Sequence, residues 1–573
     1  MSAVETVKQY VDKAIWEVKE NANTQYSFAG LQLMLAETAI KEYMLTEIYI
    51  DEIKEAYDKG YFHIHDLGMG NICYCMGHDL QQIVDEGFNG VVGKVSAKPP
   101  KHLRTAINQV INYLFCNQSE NAGAQAINNM DTLLAPYVKA DGDDYKEVKQ
   151  CIQEFIYTMN VPTRVGMQAP FSNVTFDLKC PEHFKNLNPR IGGEKVAFTY
   201  GECNEEIGMI AKAFFEIMME GDARGKPFTF PIPTINLHKD FVWDDDVAKT
   251  IFQATAKYGT PNFQNLINSD IDPEDLYSMC CRLSIDKKQL LKNSGGIFGS
   301  SSKTGAIGVV TINLPRLAFE AKTKKKLLHM IKLYMSIAKD SLEIKREHIK
   351  KNLDRNLVPY TKRYIGHFDN HFSTIGLVGG NEMCMNLINK DLSTKEGQEL
   401  MEEVLAFMEN MVSQCQEETG NYYNLEQTPA ESTCYKLAKN DRKAHPDIIT
   451  AGTVENPYYT NSSHLHVGHK MSIFKMLKVQ ETFNKYYNGG TIVHVFLGQK
   501  VTDWINCMML VKRIAESTTL AFFTVTPTFS ICPIHGYISG THKYCPLSHG
   551  EEDLKRFGIY EQKQEQKLED DEE

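Results

Sequence analysis

The chain has 573 residues, 42% hydrophobic and 23% charged, with a formal net charge of -12. That length exceeds a single hydrophobic core, so two or more domains, or one large barrel with additions, is the expectation. The acidic balance excludes a general attraction for nucleic acid or an anionic membrane, and no run of about 18 apolar residues suggests a membrane span.

In chain order, the first segment (MSAVETVKQYVDKAIWEVKE) has the apolar spacing of an amphipathic helix. It lacks the basic start and continuous apolar stretch of a signal peptide, so a cytoplasmic location is expected. Residues 1–60 read as helical up to Gly60, as do 101–160, 203–220, 323–350 and 397–418. Between them lie β-rich runs bounded by Gly, Pro and Asn: 228–237, 306–314, 373–380, 490–497 and 521–529. Short strands alternating with long helices predict an α/β architecture. The last stretch, EQKQEQKLEDDEE, is acidic and polar and adds nothing to a core. The 14 cysteines are too sparse for a disulfide scaffold; clusters among them point to metal or redox chemistry.

The segment 275–318 is the most informative. Cys280 and Cys281 precede Arg282, a Gly/Ser/Lys-rich loop follows, then a β run. On composition alone, two buried cysteines in a core turn is the ordinary reading. The order MCCRL, GGIFGS, GVVTINLPRLA, however, resembles the anaerobic (class III) ribonucleotide reductases. Further matches are FHIHDLGMGNICYCMGHDL (62–80), NQSENAGAQAINNMDTLLAPYV (117–138), RVGMQAPFSNVTFDL (164–178), YNLEQTPAESTCYKLAKND (423–441) and YYTNSSHLHV (458–467). They run in order over roughly residues 25–547.

The resemblance implies an α/β fold: a ten-stranded α/β barrel of the ribonucleotide reductase/glycyl-radical type with a central finger loop, plus a small C-terminal zinc-binding module. The implied divisions are an N-terminal helical extension (1–25), the catalytic barrel (26–529), the zinc module (530–554) and an acidic tail (555–573). It implies an oxidoreductase that reduces ribonucleotides, as triphosphates, to 2′-deoxyribonucleotides. Cys281 would carry the thiyl radical at the 3′ face and Cys75 the second thiol at the 2′ face. Asn313, Glu426 and Glu431 are candidates for moving protons and holding the hydroxyls. Glu426 stands where formate-using members have a tyrosine, which leans toward a thioredoxin- or glutaredoxin-like reductant; formate is the alternative.

TPAEST precedes a predicted helix, which puts Thr428, Ser432 and Thr433 near a helix N-terminus, where free N–H groups favour phosphate. An ordinary helix cap explains the same spacing; the match to the family's phosphate loop favours substrate. Asn461, Ser462 and Ser463 flank the same pocket in this reading.

Near the C-terminus, Cys532 and His535 have the spacing of half a zinc knuckle, and Cys545 begins the other half. Related sequences have Cys-Pro-x-Cys there; this chain has Ser548, so His549, His542 or a water is expected to complete a structural Zn2+ site. The family's glycyl-radical motif, Arg-x-x-Gly-Tyr, is not matched: Gly558 has Arg556 two before it and Tyr560 two after it. The radical source therefore stays open between a glycyl radical made by a radical-S-adenosylmethionine activase, on Gly558 or a separate partner polypeptide, and adenosylcobalamin. No N-terminal ATP cone is expected. A homodimer with a dNTP/ATP effector site near residues 101–138 follows from the resemblance, with no direct DNA or membrane binding. A catalytically inactive nucleotide-binding paralogue and another glycyl-radical-type enzyme are the alternatives.

Overall fold

The computed structural model describes all residues except 1–2, 16–25, 269–302, 428–429, 467–468, 470, 488, 499–500, 502, 533–535, 540–544, 546–547, 551 and 553–573. One eleven-stranded sheet organises the chain. Its strands are β1 (Phe62–Ile64), β2 (Cys75–His78), β3 (Gln125–Ile127), β4 (Ser172–Phe176), β5 (Ile232–Leu237), β6 (Asn262–Asn265), β7 (Gly305–Asn313), β8 (His371–Val378), β9 (Tyr423–Glu426), β10 (Ile492–Phe496) and β11 (Phe522–Thr526).

Ten of these follow one path, β9-β8-β7-β2-β3-β4-β5-β6-β11-β10, while β1 pairs with β7 off the path. β2 to β6 run parallel to one another. β9, β8 and β7 are parallel, as are β10 and β11. The two sets meet antiparallel at β2–β7 and at β6–β11. A parallel bridge between Glu426 and Gly489, with Gln427 N–H donating to Gly489 O at 2.9 Å, joins the two ends of the path. The ten strands of the path thus close into a barrel of two five-stranded halves.

Alternation along β7, β8 and β9 separates the two barrel faces. Val310, Ile312, Ile375, Leu377 and Leu425 point outward into a core shared with Leu327, Ile331, Met335, Met401 and Leu405. Those partners sit on two long helices, Lys324–Asp354 and Lys395–Thr419. Thr323 and Thr394 start these helices by accepting from the backbone N–H of Lys326 and Gly397, and Gly420 ends the second with φ +70°. The other half packs β3 to β6 against Leu103–Asn117, Tyr145–Met159, Asn204–Glu220 and Asp246–Tyr258 in a larger apolar cluster.

The five predicted β runs correspond to β5, β7, β8, β10 and β11; β5, β10 and β11 are shorter than expected, while β7 and β8 keep their length and begin one and two residues earlier. Within 101–160 the helical expectation fails chiefly where QSENAGAQAINN leaves the helix after Asn117 and forms β3, and again at the short turn of Gly142 to Asp144. The strand is three residues long and buried on both faces, so it carries no alternation to betray it. Among the described residues, no helix is long and apolar enough to cross a membrane.

Candidate active site

Cys75 opens β2 and is 2% exposed. It pairs with Ala306 across the β2–β7 seam. Its neighbour Met76 packs outward with Ile307 and Ile349, so Cys75 faces the barrel interior. A Cβ at Gly123 would lie 2.9 Å from its Sγ and 3.0 Å from Tyr74 O; glycine there keeps the space for the thiol. Cys281 and its neighbours Cys280 and Arg282 lie outside the described residues, in the link between β6 and β7. That link re-enters the sheet at Gly305, one residue before the partner of Cys75.

Charge gathers behind this seam. Lys345 reaches from the long helix to Gly308, where an added Cβ would meet its Cδ at 3.1 Å. Burial lowers the Lys345 ammonium to about 8, opposed by Cys73, Asp66 and Cys75. Arg164 is buried and donates to Asn121 O at 3.1 Å and Ala122 O at 2.6 Å. Burial raises the Asp66 carboxyl, and it brings Glu37 up to about 7 with help from the Asp66 charge; Arg164 opposes both. His65 bonds Thr311 Oγ1 at 2.8 Å and is pushed down to about 4 by burial, so it is a neutral imidazole at pH 7.

Glu426 is buried at the end of β9. His63, Thr311, Gly376, Glu426 and Gly489 form one row across β1, β7, β8, β9 and the closing bridge. Thr311 lies further along β7 than Ala306, the partner of Cys75, with a register shift between them. In the chain Glu426 directly precedes the segment that leads to the candidate phosphate platform.

The platform is built where β8 and β9 feed helices. Thr428 lies outside the described residues. Ser432 and Thr433 occupy the first turn of the helix Glu431–Ala444. Asn461 Oδ1 accepts from Ala430 N–H at 3.0 Å, and Asn461 Nδ2 donates to Glu431 at 3.2 Å. Asn461 therefore occupies one of the N–H groups at this helix start. Ser462 Oγ donates to Leu377 O, and Ser463 Oγ accepts from Tyr487 OH and Gln427 Nε2. The helix Gly380–Ile388 begins alongside: Gly379 N–H donates to Thr460 O, and Gly380 N–H to Ser462 O, both at 2.8 Å. Glu382, buried, holds Thr460 by two bonds of 2.8 Å. A cavity of about 550 Å³ opens beside Glu431 and Asn461, lined also by His464, His466 and Phe496.

Asn313 ends β7 with 0% exposure. Its Nδ2 donates to Gly60 O at 2.9 Å and to Asp441 at 2.8 Å, and its Oδ1 accepts from Arg316 N–H. Both amide protons are committed within the protein.

The C-terminal hairpin pairs Phe529–Cys532 with Gly536–Ser539. Cys532, Cys545 and His549 bring two thiols and an imidazole within 4.8 Å of one another, with Cys532 Sγ 3.1 Å from His549 Nε2. This group can hold a metal ion, and its soft and imidazole donors suit zinc. His535, His542 and Gly558 lie outside the described residues.

Sequence reasoning missed Lys345, Arg164, Asp66 and the His65–Thr311 pair. The alternation in His63-Ile64-His65 puts both histidines on one face and was a readable signal. Gly308 inside a strand was another, since such a glycine marks close approach. Lys345 itself sits in a lysine-rich helix and has no local signature.

Solved structures share this barrel. An anaerobic ribonucleotide reductase superposes with a TM-score of 0.75 at 23% identity, over 95% of this chain and 86% of that one. The anaerobic ribonucleotide reductase of Thermotoga maritima with glycerol in its active site gives 0.75 at 22%, over 94% and 88%. A hydroxyproline dehydratase from Clostridioides difficile gives 0.57 at 12%, over 85% and 78%. The fold is therefore that of the reductase and glycyl-radical barrel enzymes. The sequence profile of the anaerobic ribonucleoside-triphosphate reductases matches residues 20–557, and the chain belongs to that family of oxidoreductases. Relatives include the anaerobic ribonucleoside-triphosphate reductases of Haemophilus influenzae (25% identical over 528 residues, 83% of this chain and 70% of that protein) and of phage T4 (22% over 580 residues, 93% and 89%).

Proposed function

We propose that the chain reduces ribonucleoside triphosphates to 2′-deoxyribonucleotides through a thiyl radical on Cys281. The observation that carries this reading is the placement of Cys75. It is a buried thiol on the inner face of the seam, beside the point where the Cys281-bearing segment re-enters the barrel.

In this reading the Cys281 thiyl removes the 3′-hydrogen of the ribose. The 2′-hydroxyl leaves as water after protonation, and Cys75 supplies hydrogen at the 2′ face. Cys281 then returns the 3′-hydrogen and recovers its radical. Two electrons and two protons are consumed per turnover, drawn from a dithiol redoxin or from formate. Glu426 is the inner-wall carboxylate available to move a proton. Ser432 and Thr433, with Thr428, Asn461 and Ser462, form the platform for the triphosphate, where the helix N–H groups that Asn461 leaves open favour negative charge. Glu431 flanks it.

Cys532, Cys545 and His549, with His535 as fourth ligand, would hold a structural zinc ion. The radical is proposed to come from a glycyl radical, on a partner polypeptide or at Gly558, or from adenosylcobalamin. A nucleotide effector and a homodimer belong to the same reading; T. maritima relatives are described with dATP in a specificity site, and with dATP and CTP.

The test is anaerobic incubation of the full chain with a ribonucleotide and a dithiol, with and without adenosylcobalamin, and with an activase and candidate glycyl partner. Deoxyribonucleotide formed only with cobalamin assigns that source; formation only with activase and partner assigns the glycyl route. No product under any of these conditions contradicts the reading.

A further inference from the structure

Asn313 was expected among the residues that act on the substrate, yet its amide is consumed inside the protein. Its partners explain what it does there. Asp441, three residues from the end of the helix Glu431–Ala444, accepts from Asn313 Nδ2 at 2.8 Å and from Tyr459 OH at 2.8 Å through one oxygen. Its other oxygen accepts from Arg316 Nη1 at 3.2 Å. Arg316 is held in turn by Glu320, and Tyr61 OH donates to the same carboxylate. Asp441 is 2% exposed and Tyr459 1%.

This cluster pins one end of the helix. The other end is pinned through the same segment that supplies Tyr459: two residues on, Asn461 caps Ala430 N–H. Between them, Thr460 is fixed by Glu382. Asp441 lies ten residues from Glu431, roughly 15 Å along the axis. Because a buried carboxylate with three donors holds its orientation tightly, a rigid helix transmits that orientation to its start. The direction of the N–H groups at Ser432 and Thr433 is therefore set partly at Asp441.

We propose that Asp441, Asn313, Arg316 and Tyr459 form a positioning lock that fixes the axis of the phosphate-binding helix against the end of β7, and that Asn313 serves the reaction through this lock without touching the substrate. The inference rests on the reading of Ser432 and Thr433 as part of a triphosphate platform.

The experiment compares binding of cytidine triphosphate and of cytidine to the full chain, with steady-state kinetics for the triphosphate. Asp441→Ala and Asn313→Ala are each expected to weaken the triphosphate about tenfold. Cytidine should move less than about twofold, because the platform contacts phosphate. The double variant should be hardly worse than either single one, since both break the same lock. KM should rise with kcat changed little. Tyr459→Phe removes one hydroxyl and is expected to show the same selectivity at about threefold, even where Asp441→Ala fails to fold. Rescue of triphosphate affinity by Asp441→Asn, which retains an acceptor for Tyr459, should be partial.

A fall in kcat at unchanged KM for Asn313→Ala would place Asn313 at the reacting atoms and overturn the lock. So would equal weakening of triphosphate and nucleoside, which marks a merely structural role. If the unmodified chain binds cytidine triphosphate no tighter than cytidine, the platform reading itself fails, an outcome visible before any variant is made.

Discussion

The barrel has two antiparallel seams, and they are built differently. At β2–β7 the strands bring Cys75 inward, with Lys345, Arg164 and Asp66 gathered behind. At β6–β11, Phe263 stacks on Phe523 with ring centres 5.6 Å apart, and Asn265 is spent on Ala515 O and Thr518 O. One topological device thus gathers titratable groups at one side and packs aromatic and amide side chains at the other. The charged seam holds groups that burial disfavours, a cost that a purely structural seam has no reason to carry.

The comparison breaks most visibly at the thiol. Cys75→Ser is expected to abolish deoxyribonucleotide formation, by about three orders of magnitude or more, with nucleotide affinity within about twofold. The equivalent injury at the other seam is Phe523→Ala. It should cost about 3–5 kcal/mol of stability in denaturant melts, while turnover per folded molecule survives. If Phe523→Ala instead removes activity from well-folded protein, the two seams are not different in kind.

Lys345 sharpens the contrast through pH. Its folded pKa, about 8, is below its ordinary value of 10.5, so folding disfavours the charged form. That destabilisation is present in full below about pH 8 and is relieved as pH rises toward 10.5. Urea melts from pH 7.5 to 10.5 should show a rise on the order of 3 kcal/mol, absent in Lys345→Met. A flat profile in the unmodified chain would contradict the burial of a charged Lys345. Smaller again is Gly123→Ala. Its Cβ would press on Cys75 Sγ at 2.9 Å, so it should slow turnover several-fold with little change in melting temperature. Cys545→Ser is expected to remove bound metal, read by elemental analysis, with melting lowered by only a few degrees.

How much of this was legible differs between the seams. β7, β8, β10 and β11 announce themselves by long apolar runs, and the helix Asn204–Glu220 by its spacing. β2, β3 and β6 have three or four residues each and sit buried, too short for any period to register. Cys75, Glu426 and the TPAEST segment were reached through family resemblance, because their meaning depends on strand register, which the local sequence does not encode. That the Asn313 amide is spent inside the protein was hidden for the same reason. Its partner Asp441 is 128 residues away and carries no mark of a lock.

The most direct measurement of the central claim is anaerobic deoxyribonucleotide formation by Cys281→Ala beside the unmodified chain, under whichever radical source supports turnover. The account predicts no product from the variant, with ribonucleotide binding nearly intact. Sustained product formation by Cys281→Ala would contradict it.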